Sequence, residues 1–104
     1  MNYRRLGKSG LKVSELSYGS WVTFSLQLDQ SKATQIMKEA YDKGVNFFDN
    51  AEVYANGQSE IIMGNAIKEL GWGRDTFILS SKVFWGGEKP TQRGLSHKHI
   101  IDAC

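Results

Sequence analysis

The sequence has one cysteine, Cys104, and one proline, Pro90, among its 104 residues. A lone thiol makes no internal disulfide, so a cystine-stapled framework is excluded. No Pro/Gly/Ser-rich stretch or low-complexity tract interrupts the chain, so there is no candidate linker. No apolar run approaches the roughly 20 residues that a membrane-crossing helix needs. The opening Met1-Asn2-Tyr3-Arg4-Arg5-Leu6-Gly7 carries charge with no apolar stretch behind it, which is not the build of a secretory signal. A cytoplasmic setting is the default expectation. Charge of one sign is also lacking: 13 Lys+Arg against 11 Asp+Glu give a net +2, too weak a bias for a nucleic-acid or anionic-membrane surface. No G-x-G-x-x-G string occurs, which argues against a Rossmann domain. What remains is ordinary globular material, 40% hydrophobic and 23% charged, close to the roughly 25% charged residues of average domains.

The pattern reads as a hairpin followed by strands alternating with helices. Tyr3–Leu6 and Leu11–Val13 are arms too short for a helix, and they flank the tight reversal Gly7-Lys8-Ser9-Gly10. Glu15–Gly19 is a short strand closed by glycine. From Asp29 to Lys43, the apolar residues Ala33, Ile36, Met37, Ala40 and Tyr41 recur at helical spacing. Asp29 suits the N-cap and Gly44 the position just past the end. Val45–Phe48 is a buried strand ending at Asp49. A second helix runs from about Gln58 to Leu70, with Ile62, Met63, Ala66, Ile67 and Leu70 as its apolar stripe and Gly71 as its stop. Gly64 inside it costs about 1 kcal/mol relative to alanine; it is either simply tolerated or required for close packing against a strand. Thr76–Lys82 is the third strand, and Ser96 caps a helix holding Ile100 and Ile101.

Strands alternating with helices specify a parallel sheet with right-handed crossovers. Parallel sheets are normally covered on both faces, yet three strands leave long edges unpaired. The last helix stops about two turns after its cap, where it is marginal in isolation. The expectation is an α/β fold that forms the N-terminal part of a (β/α)8 barrel, a hairpin plus about three βα units. Residues 1–104 are then one portion of a single domain, cut within the third helix; a complete barrel takes about 250 residues.

In such a barrel the active site lies at the C-terminal ends of the strands. Ser20 and Trp21 follow the first strand, Asp49 ends the second with Tyr54 five positions on, and Lys82 ends the third. A carboxylate, a phenol and an ammonium then converge on one face. A phenol is a weak proton donor at neutral pH, and a neighbouring ammonium favours its release of the proton. Asp49 keeps Lys82 charged and aimed. Tyr54 then protonates a carbonyl oxygen as hydride reaches the carbon, and takes the proton from an alcohol in reverse. Each residue also has a plainer reading: Asp49 as a turn or cap residue, Tyr54 as a packing aromatic, Lys82 as a solvated charge.

Particular strings carry a resemblance. Phe48-Asp49-Asn50-Ala51-Glu52-Val53-Tyr54 resembles the aldo-keto reductase signature around its catalytic aspartate and tyrosine, and Ser80-Ser81-Lys82 resembles the segment with the catalytic lysine. Tyr3 to Ser14 is similar to the usual family opening. Within the family, the likeness is closest to the voltage-gated potassium channel β subunits and their bacterial relatives. It rests on Trp21-Val22-Thr23-Phe24, on Ala51 to Gly57, on Lys82 to Gly87 and on Arg93 to Ile101.

The resemblance implies NADPH-dependent reduction of aldehydes and ketones, with Tyr54 as proton donor and Asp49 and Lys82 tuning it. It places Ser20, Trp21, Gln27 and Asp49 beside the nicotinamide and its ribose. The alternative that it implies is a cofactor-binding regulatory β subunit of a potassium channel. The implied partners are a small carbonyl substrate, a channel subunit and further copies in a tetramer, with no nucleic acid, metal or membrane insertion. Ser20 and Asn50 stand where the family often has threonine, and Leu26 stands where channel β subunits have glycine. The fourth catalytic position and the segments for the cofactor's diphosphate and 2′-phosphate lie beyond Cys104, so the segment alone is expected to be inactive. His97 and His99 read as ordinary helix residues. Trp85-Gly86-Gly87 either lines the substrate mouth or makes a turn, and Cys104 reads as inert.

Overall fold

The structure, a computed structural model, describes residues 1–23 and 29–104. Strands β1 (Tyr3–Arg5) and β2 (Lys12–Ser14) pair antiparallel with Arg4 opposite Val13. The reversal between them closes where Leu6 N–H donates to Leu11 O at 2.9 Å. The chain then runs through β3 (Tyr18–Gly19), α1 (Gln30–Asp42), β4 (Phe47–Asp49), α2 (Gln58–Leu70), β5 (Ile78–Ser80) and α3 (His97–Ala103). The three later strands form one parallel sheet in the order β3-β4-β5. This is a partial α/β fold, consistent with an incomplete (β/α)8 barrel as the alternation of elements implied.

The strands are shorter than the apolar runs suggested, and local bonding accounts for the late starts of two of them. Asn46, inside the expected second strand, turns its amide to the hairpin: its Oδ1 accepts from Ser14 N at 2.8 Å and its Nδ2 donates to Lys12 O at 3.0 Å. That stitches β2 to the sheet and delays β4 to Phe47. Thr76 is held in a short 3-10 turn by Gly73 O, 2.9 Å from its N–H, so β5 begins only at Ile78.

Helix α1 starts where Asp29 Oδ1 accepts from Lys32 N at 2.9 Å, satisfying one of the free donors of its first turn. Ala33 and Met37 are fully buried, while Ile36 lies at the edge of the stripe and is 38% exposed. Past the helix end, Gly44 has φ +93°, and a Cβ there would lie 2.8 Å from Met1 Cβ. Only glycine allows that turn under that contact. It brings Tyr3 Oη to Gly44 O at 2.8 Å and seats the hairpin against the end of α1.

The core between sheet and helices consists of Ala33, Met37, Val45, Phe48, Met63, Ala66 and Phe77. Trp72 closes it from outside, stacked on Tyr41 at 4.1 Å between ring centroids and tilted on Phe48 at 5.2 Å. Gly64 is exposed with nothing within 4 Å of a built Cβ, so tolerance, not close packing, accounts for it. Ser96 caps α3, accepting from His99 N at 3.1 Å. Here the inward residue is His99, and Ile100 and Ile101 remain 41% and 60% exposed. Among the described residues no helix is long and apolar enough to cross a membrane.

Two substitutions of opposite sign test this packing. Met37→Ala, which empties the centre of the core, lowers unfolding free energy by about 2–5 kcal/mol. Gly64→Ala raises it by up to about 1 kcal/mol, the helix-propensity difference. Urea unfolding followed by Trp fluorescence measures both.

Candidate active site

Pairing in register brings Gly19, Asp49 and Ser80 into one row at the C-terminal edge of the sheet. Asp49 is the hub of that row. Its Oδ1 accepts from Ser80 Oγ at 2.5 Å and its Oδ2 from Lys82 Nζ at 2.7 Å. Lys82 Nζ also donates to Asn50 O at 2.7 Å. Tyr54 lies beside the same ammonium, with Lys82 Nζ 5.1 Å from its ring centroid. Trp21 stacks on Tyr54 at 6.1 Å and 23° between planes, with 68% of its surface exposed. The carboxylate, phenol and ammonium singled out in the sequence therefore meet on one edge.

Backbone turns aim these groups. Ser20 is fully buried, and both its N–H and its hydroxyl donate to Asp49 O, at 3.2 and 3.0 Å. Its side chain thus fastens β3 to the site from below. Asn50 is buried too; its Oδ1 accepts from Ala51 N at 2.9 Å, bending the chain away from the sheet as β4 ends. Tyr54 then opens a 3-10 turn, Tyr54–Gly57, in which Ala55 and Asn56 have φ of 52° and 53°. The left-handed region costs an L-residue about 1–2 kcal/mol, less for asparagine than for alanine. Gln27, expected beside the cofactor, lies outside the described residues.

The electrostatics lock the pair in its charged form. Burial works to raise the Asp49 carboxyl, but hydrogen bonds from Lys82 and Ser80 and the Lys82 charge outweigh it and hold it below its ordinary value. Burial works to lower Lys82, and the interactions with Asp49 and Tyr54 outweigh it and hold the amine above its ordinary value.

Sequence reasoning missed a second pair. Glu52, two residues before Tyr54, accepts from Phe84 N at 2.5 Å, and His99 Nε2 lies 3.0 Å from the same Oε1. His99 is buried and Glu52 largely shielded, their side chains 6% and 11% exposed. Separated by 47 positions, they carry no local pattern that links them. The one hint is His99's place in the first turn after Ser96, where the helix faces inward. The Trp85-Gly86-Gly87 stretch belongs to a closed loop: Gly87 N–H donates to Gln92 O at 3.1 Å and Gly94 N–H to Phe84 O at 2.8 Å. Among the described residues no group of His, Cys, Asp and Glu gathers that would hold a metal ion.

The family model described as "Aldo/keto reductase family" matches residues 15–104. The chain belongs to the aldo/keto reductase family. Among similar proteins, the "Probable voltage-gated potassium channel subunit beta" of Arabidopsis thaliana is 61% identical over 102 residues. The protein of the same description in Oryza sativa subsp. japonica is 57% identical over 102 residues. Each match takes in 98% of this chain and 31% of the relative, so the chain spans about a third of the length of either.

The pH dependence of the Asp49–Lys82 pair follows in sign from its two shifts. The lowered carboxyl contributes stability above the ordinary carboxylate range, lost as pH falls through its folded value. The raised amine contributes stability below the ordinary lysine value, lost as pH rises through its folded value. Lys82→Met therefore reduces stability most at neutral pH, by less than about 1 kcal/mol for an amine this exposed. The difference from the unsubstituted chain shrinks at both extremes in urea titrations across pH.

Proposed function

We propose that this chain forms part of a cofactor-binding β subunit of a voltage-gated potassium channel, acting from the cytoplasmic side. The observation that carries this reading is its 61% identity, across 98% of its length, to a relative described by that name. The partners are a pore-forming channel subunit and further copies in a tetramer.

The cofactor proposed is NADPH, of which this chain meets the nicotinamide end. The donor set fits that end. Trp21 offers an exposed indole face beside Tyr54, suited to a flat aromatic ring. Asp49 offers a carboxylate to ribose hydroxyls, and Ser20 holds the Asp49 main chain in place. Gln27 is proposed as a further contact. When bound, NADPH supplies hydride.

A second reading, reduction of a small aldehyde or ketone, is favoured by the position of Lys82 between Asp49 and Tyr54. Tyr54 gives its proton to the carbonyl oxygen. The Lys82 ammonium stabilises the negative charge left on the phenol oxygen, and Asp49 keeps the ammonium aimed. A positioned acid of this kind contributes about 10²–10⁴-fold. The two readings are compatible, because a channel subunit that binds NADPH here also carries these groups.

The test is a chimera in which this chain replaces the matching 102 residues of the Arabidopsis relative. It is expected to co-purify with a co-expressed pore-forming potassium channel subunit; failure to do so, while the parent relative does, overturns the channel reading. It is also expected to oxidise NADPH with an aromatic aldehyde. Tyr54→Phe then lowers kcat by at least about 100-fold and leaves the NADPH Kd within about twofold. Undiminished turnover in Tyr54→Phe removes the proton-donor assignment.

A further inference from the structure

Tyr54 stands at the start of a strained turn, and such strain persists only where the surrounding structure over-determines it. Ala55, the next residue, has φ 52° and ψ 38°, a conformation that its Cβ disfavours. Something must hold the chain on the near side of Tyr54, and a single largely shielded carboxylate does so.

Glu52 makes three connections. Its N–H donates to Lys82 O at 3.2 Å. Its Oε1 accepts from Phe84 N at 2.5 Å. His99 Nε2 reaches the same oxygen at 3.0 Å; an ionised carboxylate only accepts, so the ring donates. Behind the pair, Gly86 leaves no room: a Cβ there would lie 2.7 Å from Glu52 Oε2 and 3.0 Å from His99 Cε1. The loop that bears Tyr54, the segment that follows Lys82 and the first turn of α3 are thus joined at one side chain.

We infer that Glu52 and His99 form a positioning clasp that sets the Tyr54 side chain beside Lys82, whose Nζ lies 5.1 Å from the ring centroid. Neither residue touches the reacting groups; they act through the backbone on either side. A part-buried polar pair placed only for stability has no need to join the loop of the proton donor to the segment after its ammonium partner. The inference rests on the carbonyl-reduction reading for its kinetic consequence, but the placement of Tyr54 itself is measurable without turnover.

The experiment uses the same chimera, with 3-fluorotyrosine incorporated at position 54 and read by ¹⁹F NMR. The parent chimera is expected to give one sharp resonance, and a broad or multiple signal there overturns the inference. His99→Ala, and independently Gly86→Ala, which drives a methyl against the Glu52 carboxylate, are expected to broaden or split that resonance while the far-UV spectrum is kept. His99→Gln restores a donor to Glu52 and returns the single line. In the chimera carrying ordinary tyrosine, His99→Ala is expected to lower kcat about tenfold with KM within about twofold, and His99→Gln recovers most of the loss. An unchanged resonance in folded His99→Ala and Gly86→Ala refutes the clasp. If the parent shows no NADPH oxidation, or Tyr54→Phe retains it, the reductase reading fails and the resonance alone decides the clasp.

Discussion

An ammonium taken partly out of water has to find oxygen, and where Lys82 finds it organises this end of the molecule. Two of its donors go to Asp49 and to the Asn50 carbonyl, both at the end of the central strand. The chain that leaves β5 is thereby tied back across β4. Asp49 in turn is held by Ser80 and, through its carbonyl, by Ser20. One carboxylate–amine contact thus links the ends of all three parallel strands. Its effect on stability is small because the amine is half exposed; its effect on geometry is larger, because Tyr54 and Trp21 take their places around it.

The rest of the fold serves to hold that edge level. Phe48 is fully buried one residue before Asp49, so packing of the core fixes the strand from which the carboxylate projects. Met37 and Met63 fill the space between that strand and its two helices, and Asn46 binds the hairpin to the sheet at the opposite end. Asn50 belongs to both regions. Its side chain bends the backbone at Ala51 while its carbonyl receives Lys82, so the turn toward Tyr54 and the seat of the ammonium come from one residue.

Much of this was legible along the chain because local rules govern it. Asp29 and Ser96 cap helices in the structure as their positions suggest, since a cap needs only a short acceptor beside free N–H groups. Gly71 ends α2 in the left-handed conformation for an equally local reason. Asp49, Tyr54 and Lys82 were legible as a set because strand ends in a parallel sheet fall on one side. Other features were not. Two of the expected strands began two residues too early because Asn46 and Thr76 bond to distant or turning backbone that apolar spacing does not register. Ile36, Ile100 and Ile101 match a helical stripe, yet face outward.

By itself, then, the sequence determined the order of strands and helices, where the helices begin and stop, and which residue types reach the mouth. These follow from spacing, capping and chirality, which act over a few residues at a time. Only the tertiary structure decided that Ser20 faces inward to Asp49, that Gly64 is free of close contact, and that His99 is buried against Glu52. Those outcomes depend on which surfaces meet after the chain has folded back on itself. A contact between residues 47 positions apart has no counterpart in any local pattern.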